Sequence, residues 1–445
     1  MNLYKKLSAL VAVAVLTVTA ASAQEFLTLE EAVRIGLEKN YAIEIARRNV
    51  ELAQNNVTLG NAGFLPTVDA RATRTFDNRD SRQEFETNPA REVSGARSNS
   101  LNSSLNFNWT IFDGMGMFVN LDRLRTLKIS EELLTKATVE TTVADISNAY
   151  YEVVRQAKKI QPLIDAVSLS AERVELIREQ YRVGVAAKVA ILTAEVDYNA
   201  DRTELLRQQE NLKTAQINLN QLLARDPDLE FNVIDTIQVI TSLELNESRI
   251  QALNQNPALL RARVNQELAV LDLRSAQASR FPVLGVTSAY VFNRSESEPL
   301  NPFSPISNQS KGFNYGLTLA VPLFNGFNRT RLAQNARILI ETSRIALSQT
   351  QQLVESDVAR AYSRYQNRLR ILDLEESNIQ LARQNAEVAM ERYKLGLLTA
   401  LELREAQRNQ LVAENRLIDI QFEAKAAEIE LRRLSSTLVI EGVAQ

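Results

Sequence analysis

Four segments of the chain alternate apolar and polar residues with a period of two, which is typical of β-strands with two different faces. The predicted strands lie near 67–76, 101–113, 281–293 and 313–325. Alternation is clearest in the second, whose apolar positions are Leu105, Phe107, Trp109 and Ile111. Each segment is long enough to cross a bilayer at a tilt. The same pattern also fits a soluble antiparallel sheet with one wet face.

Polar segments separate the strands of each pair. Residues 77–100 consist largely of Asn, Arg, Asp, Ser and Glu with one Pro and one Gly, and residues 294–311 are rich in Ser, Glu, Pro and Asn; both compositions are typical of exposed loops. We therefore predict a long polar loop between the two strands of each pair.

A helical pattern follows each pair of strands. From Val143 to Val174, apolar residues recur at alternating spacings of three and four, which indicates a coiled-coil seam. We predict one long helix from about Met115 to Val183 and another from Phe327 to Leu395, each roughly 100 Å long at about 1.5 Å per residue. Pro162 lies inside the first helix and should bend it.

A glycine ends each long helix, at positions 184 and 396, where a left-handed cap is expected. Shorter return helices follow, at about 188–224 and 399–435. Short helices are also predicted before each strand pair, and Thr28-Leu-Glu-Glu31 has the form of a capping box.

The whole order of elements occurs twice. Residues 42–53 and 258–269 are identical at seven of twelve positions, and the two capping glycines are 212 residues apart. Such self-similarity indicates internal repeats. We expect a single domain over 24–445 made of two repeats, 24–240 and 241–445, with hairpin tips near 184 and 396.

The first 23 residues have the features of an export signal. Lys5 and Lys6 precede an uncharged run from 7 to 21, and Ala21-Ser22-Ala23 forms a small-residue cleavage site. The run of 15 residues is too short to span a bilayer as a helix. We expect cleavage after Ala23, and no thioether lipid anchor because the chain contains no cysteine.

Composition argues against catalysis and against nucleic acid. Without the signal, 49 basic side chains face 54 acidic ones, a net charge of −5, which disfavours nucleic acid as a partner. The chain contains no His, the usual base at neutral pH, and no Cys, the usual thiol nucleophile. These two residues are also the usual zinc ligands. We therefore expect no enzymatic activity, no cofactor and no metal site.

Four strands from one chain cannot close a cylinder. An open sheet edge in lipid leaves backbone groups unpaired, at a cost of several kcal/mol each. Strands from other copies must therefore complete a membrane barrel, and three copies would supply twelve, within the usual range.

The order of elements resembles the TolC family of outer-membrane efflux proteins over the whole mature chain. Tyr181-Arg-Val-Gly-Val185 and Tyr393-Lys-Leu-Gly-Leu397 resemble that family's helix-hairpin tips, and Leu27-Thr-Leu-Glu-Glu-Ala32 resembles its opening helix. The resemblance implies a mixed α and β membrane protein: a homotrimer with a 12-stranded outer-membrane β-barrel and a long α-helical coiled-coil tunnel in the periplasm.

The resemblance also implies function and partners. Such proteins are passive exit ducts of tripartite efflux or type I secretion systems, working with a periplasmic adaptor protein and an inner-membrane transporter. A soluble periplasmic coiled-coil scaffold or adhesin stalk is the alternative, but it has no use for four strands of membrane length.

Carried over by position, the resemblance assigns a pore constriction to Glu402, Glu405 and Tyr393. Thr399 and Glu402 also form a capping-box motif, Glu405 and Arg408 a surface pair, and Tyr393 could be a seam aromatic. Ala190 and Leu398 stand where the family carries an acid and an arginine, so a gate held by charge pairs is in doubt.

The adaptor is expected to dock on the hairpin tips, against the alternative that these residues only cap helices. The docking residues are Val183, Gly184, Val185, Leu395, Gly396 and Leu397. Trp109, the only tryptophan, is expected at a membrane interface, or else is a plain barrel or core aromatic.

Overall fold

The computed structural model describes residues 25–87, 89–234, 236–297 and 305–438. The predicted export signal lies outside the described residues. The chain forms two compact units. The first comprises Met1–Arg48, Leu133–Leu260 and Gln349–Gln445, and the second comprises Asn49–Glu132 and Arg261–Ser348.

Helices dominate the described part of the chain. They are α1 (Leu29–Lys39), α2 (Tyr41–Asn56), α3 (Leu59–Ala62), α4 (Gly116–Lys158), α5 (Ile160–Arg182), α6 (Lys188–Leu222), α7 (Leu245–Gln255), α8 (Pro257–Ala278), α9 (Asn328–Lys394) and α10 (Ala400–Leu434). The strands are β1 (Glu25–Leu27), β2 (Thr67–Gln83), β3 (Arg91–Phe112), β4 (Phe231–Val233), β5 (Val283–Ser297) and β6 (Ser307–Ala320).

The first long helix is interrupted, so the prediction of one continuous helix there was wrong. α4 ends at Lys158 and α5 begins at Ile160. Pro162 explains the break, because in a continuous helix its ring would meet the carbonyl of Lys158. As the third residue of α5, Pro162 occupies a first turn, where a backbone N–H has no partner within the helix. By contrast, α9 is continuous over 67 residues.

Four strands form an antiparallel sheet in the order β2-β3-β5-β6. Pairing is regular along most of its length, with register shifts between Arg79 and Ser81 and between Thr110 and Phe112. Within the described ranges, β2 and β6 are therefore the two edges of this sheet.

The strands extend into the segments predicted as long polar loops, so that prediction was wrong. β2 continues to Gln83 and β3 starts at Arg91, while β5 reaches Ser297 and β6 starts at Ser307. Backbone N–H and C=O groups form the ladder whatever the side chains are. Polar residues outside an apolar zone can therefore continue a hairpin into water.

Prolines set the strand ends nearest the helices. β2 begins directly after Pro66 and β5 directly after Pro282. β6 ends at Ala320, two residues before Pro322, although alternation predicted a strand to 325. Proline lacks the N–H that a ladder needs, which explains the early end.

The main core of the first unit surrounds Leu27 and the strand β1 that contains it. β1 pairs in parallel with β4. The Tyr150 hydroxyl donates to the Leu27 carbonyl at 3.2 Å, and both residues are buried with Ile146 and Leu219. Only half of the predicted capping box of α1 appears in the described contacts: Thr28 accepts from the Glu31 N–H, while the Glu31 carboxylate binds Arg34.

Candidate functional site

The sheet has one apolar face, fixed by its pairing register. Paired residues of adjacent strands point to the same side, so Trp109 shares a row with Val286 and Leu317, and the next two rows are apolar except for Ser288. These rows contain Leu105, Tyr290, Phe313, Val68, Phe107 and Tyr315. Tyr315 is 81% exposed and Leu317 75% exposed, so this apolar face lacks a cover within the described chain.

The opposite, polar face carries small and polar residues. Its rows pair Asp69 with Asn106, Asn102 with Asn293 and Ser310, and Asn108 with Thr287 and Gly316. An apolar face for lipid and a polar face for water are the two surfaces of a channel wall.

Trp109 lies on the apolar face, at the end of the sheet nearest the helices. Its indole N–H donates to the Phe64 carbonyl at 2.8 Å, and the residue is 40% exposed. The structure therefore places the tryptophan on the surface of the sheet, with its polar atom held by the segment that leads into β2.

Both hairpin tips in the first unit have the same backbone geometry. Gly184 and Gly396 have φ of 79° and 72°, the left-handed conformation that favours glycine. Gly184 N–H donates to the Tyr181 carbonyl and Val185 N–H to the Gln180 carbonyl, and the second tip repeats both bonds. This is the Schellman arrangement, and it confirms the predicted glycine caps.

The residues beside each glycine are exposed. Val183 and Val185 are 70% and 78% exposed. Leu395 and Leu397 are 72% and 65% exposed. Four aliphatic side chains in water at two tips form a pair of small apolar surfaces that C-capping alone does not require.

Behind the tips lie two small apolar clusters. Ala190 packs with Val174 and Ile177 near the first tip. Tyr393 and Leu398 pack against Leu403 near the second. Ala190 and Leu398 thus act as packing residues here, and the structure places Tyr393 as a half-buried aromatic in the same cluster as Leu398.

Glu402 forms a complete capping box at the start of α10. Its Oε2 accepts from the Thr399 N–H at 2.9 Å and from the Thr399 hydroxyl at 2.6 Å, while Thr399 Oγ1 accepts from the Glu402 N–H at 3.3 Å. The hydrogen bond from the Thr399 side chain lowers the pKa of the Glu402 carboxyl, so it is ionised at neutral pH. Glu405 is exposed and reaches Arg408 at 3.4 Å. Both glutamates therefore make the local interactions that their sequence motifs predict: Glu402 caps α10, and Glu405 pairs with Arg408.

An ion network that sequence reasoning missed joins the two helical hairpins, α5–α6 and α9–α10. Arg404 on α10 donates through both Nη atoms to the Asp201 carboxylate on α6, at 2.7 and 2.8 Å. Asp197, one turn before Asp201, accepts from the buried Arg173 on α5 at 2.7 Å. One sequence signal could have pointed to it: two acids at i and i+4 repel each other on a helix unless cations are nearby.

Among the described helices, none combines the length and the apolarity required to cross a membrane. The sheet has an exposed apolar face and a polar reverse face, an arrangement that membrane channel walls share. The sequence profile of the outer membrane efflux protein family matches residues 32–225 and 250–437. The chain belongs to that family, the TolC family, and is an outer-membrane channel for efflux or secretion.

Individual relatives have low sequence identity to this chain but align with most of its length. Outer membrane protein TolC of Vibrio cholerae serotype O1 is 21% identical over 350 residues, covering 77% of this chain and 78% of the relative. Protein CyaE of Bordetella pertussis is 22% identical over 340 residues, 76% and 69% of the two chains. The crystal structure of the outer membrane protein VceC from Vibrio cholerae has a TM-score of 0.70 at 19% identity, covering 92% and 95% of the two chains. It shares the fold.

Proposed function

We propose that three copies of this chain form a passive exit duct with a closed twelve-stranded barrel in the outer membrane. The observation that supports this is the open sheet, whose edge strands β2 and β6 have 17 and 14 residues. In a four-stranded antiparallel sheet the two edges run in opposite directions. An edge β6 can therefore pair antiparallel with β2 of the next copy, which leaves no unpaired edge in lipid.

The duct carries cargo from an inner-membrane transporter and a periplasmic adaptor, in an efflux or type I secretion system. Support comes from the exposed aliphatic tips at Val183, Val185, Leu395 and Leu397, which offer an apolar surface to an adaptor. The transporter supplies the energy, and the channel itself catalyses no reaction.

In the assembled protein Glu402 and Glu405 form carboxylate rings at the periplasmic constriction, with Tyr393 packed behind them. On one helix, residues three apart lie about 60° apart around the axis, so both carboxylates face one side. Rings of acid favour cations in a narrow pore. Trp109 anchors the barrel at the inner interface of the membrane, and export relies on a signal peptide cleaved after Ala23, without lipidation.

Planar-bilayer recording with Glu402→Gln plus Glu405→Gln tests the constriction. Gln retains the capping box, so the double variant removes charge and keeps the cap. We expect cation preference to fall in this variant and to persist in the matched control Glu387→Gln plus Glu391→Gln, two exposed glutamates of α9. An unchanged reversal potential in the first variant would remove the constriction assignment.

Oligomeric state separates the duct from a soluble periplasmic scaffold or adhesin stalk. We expect the mature chain to require detergent and to have the mass of three copies by native mass spectrometry. A monomer that is stable in buffer without detergent would refute the barrel.

A further inference from the structure

Four basic side chains lie on the apolar face of the sheet, near the end of the sheet that is farther from the helices. The register places Arg74 in one row with Leu101 and Arg294. Lys311 lies opposite Phe292, and Arg97 lies opposite Asn78. We call Arg74, Arg97, Arg294 and Lys311 the basic belt.

The belt begins where the apolar rows end. Along β5, the apolar face runs from Leu284 to Phe292, eight residues or about 27 Å at about 3.4 Å per residue. At a tilt of about 40° this corresponds to roughly 20 Å of membrane thickness. Arg294 is the next residue of β5 on this face, so the belt lies at the height of lipid headgroups, on the side away from the helices.

The belt has an excess of positive charge. Glu296 follows Arg294 on this face of β5, and its carboxylate is paired with Arg294 Nη2 at 2.5 Å. Arg74 donates to the neutral Asn99 side chain at 3.1 Å and stacks over Phe76 at 5.0 Å. Four cations and one carboxylate give a net charge of +3.

Two members of the belt are uncommitted. In the part of the chain that the structure describes, neither Arg97 nor Lys311 forms an ion pair, and both are exposed. Exposed cations at the rim of an apolar band attract anionic groups at a membrane surface.

The polar face differs at the same height. Its charged residues on β2 at this height are Asp77 and Arg79, one acid and one base, while Asp69 and Arg71, again one of each, lie closer to the helices. The charge imbalance is therefore confined to the face that the apolar rows occupy, and it is not a general property of these strands.

The belt also borders a concave surface. A groove of about 710 Å³ is lined by Arg97 and Arg294, by the apolar side chains of Phe76 and Ile306, and by the carboxylates of Asp77 and Glu296, the second of which is paired with Arg294. Arg74 and Arg294 lie two strands apart, about 10 Å, so their side chains can approach one ligand. Guanidinium groups beside apolar walls suit an anion that is attached to an acyl chain.

We propose that the basic belt binds the phosphorylated headgroup of a lipid in the outer leaflet of the membrane. Arginine binds phosphate with paired, charge-assisted hydrogen bonds, and Lys311 can extend along the apolar rows to place its ammonium at the headgroup. This inference rests on the proposed barrel, because only a membrane-inserted sheet brings lipid to this face.

The test compares two variants with the same change of charge. Arg74→Gln plus Arg294→Gln removes two cations from the belt, and Arg71→Gln plus Arg79→Gln removes two from the polar face. Native mass spectrometry of the detergent-solubilised assembly measures binding of diphosphoryl lipid A, of dephosphorylated lipid A and of inorganic phosphate.

We expect wild type and the polar-face variant to prefer the diphosphoryl lipid, and the belt variant to lose that preference by about tenfold, because each lost bond involves charged groups. Equal loss in both variants, equal binding of the two lipids, or displacement by millimolar inorganic phosphate would each overturn the proposal. Trimer mass and conductance are recorded on the same samples, so that failure of the barrel itself is recognised separately.

Discussion

The bond between Arg404 and Asp201 gives the sharpest prediction about the hairpins. Replacing Arg404 with Met keeps the aliphatic stem and removes both charge-assisted bonds to Asp201, which is left with a side chain only 12% exposed. A hydrogen bond to a charged group contributes about 1.5–3 kcal/mol, and because Arg404 is 27% exposed we take about 2 kcal/mol for the bidentate pair. Local opening of α6 against α10 should become about thirtyfold more frequent.

Hydrogen exchange of the α6 and α10 backbone in the intact assembly measures this opening. Arg404→Met, Asp201→Asn and the double variant form a cycle that isolates the pairwise energy. The control is Arg408→Met, one turn further along α10, whose bond to Glu405 is exposed on both sides and should change exchange by no more than about twofold. If the effects of the two single variants add up in the double variant, or if the variants exchange as slowly as wild type, then Arg404 and Asp201 do not hold the two helical hairpins together.

Three further predictions concern single sites. Thr399→Ala removes the box that caps α10 and should speed exchange of its first turn about fivefold, for about 1 kcal/mol. Asn256→Ala should speed exchange at the start of α8 about thirtyfold, because the buried Asn256 side chain binds the Leu434 carbonyl at 3.0 Å and caps α8. Glu140→Gln should raise the apparent Tm at pH 7, since burial raises the pKa of the Glu140 carboxyl. A raised pKa means that stability falls as pH rises through it, so this gain should shrink towards pH 4.

Each of these predictions has its own control. Thr399→Ser retains the cap and should exchange like wild type. Asn40 makes the equivalent bond to Leu222 at 2.8 Å and caps α2, so Asn40→Ala should resemble Asn256→Ala in size. If Glu140→Gln is as stabilising at pH 4 as at pH 7, the ionised carboxylate is not the source of the effect.

Features encoded by neighbouring residues were predictable. Each capping glycine needs a left-handed conformation that glycine adopts without strain, and the capping box of α10 is a four-residue motif. The apolar face of the sheet also follows from alternation once strands are assumed. The two kinds of cap depend on fewer than ten consecutive residues, so no knowledge of the rest of the chain was required for them.

Features set by distant partners were not predictable in the same way. The lengths of β2 and β3 depend on pairing between their polar ends, which side-chain polarity hides. Arg404 and Asp201 are 203 positions apart, and the acids Asp197 and Asp201 indicate a nearby cation without indicating which residue supplies it.

The Arg404–Asp201 pair also fixes how α10 is turned about its axis. At about 100° per residue, Arg404 points about 130° away from the midpoint between Glu402 and Glu405. Because Asp201 holds Arg404 towards α6, the two carboxylates are held on a different side of the helix. Ala190 and Leu398 contribute packing where charges are expected from the family, so the orientation of the glutamates depends on this bidentate pair together with the packing of Leu403. Loosening it should therefore weaken the proposed cation preference even though both carboxylates remain.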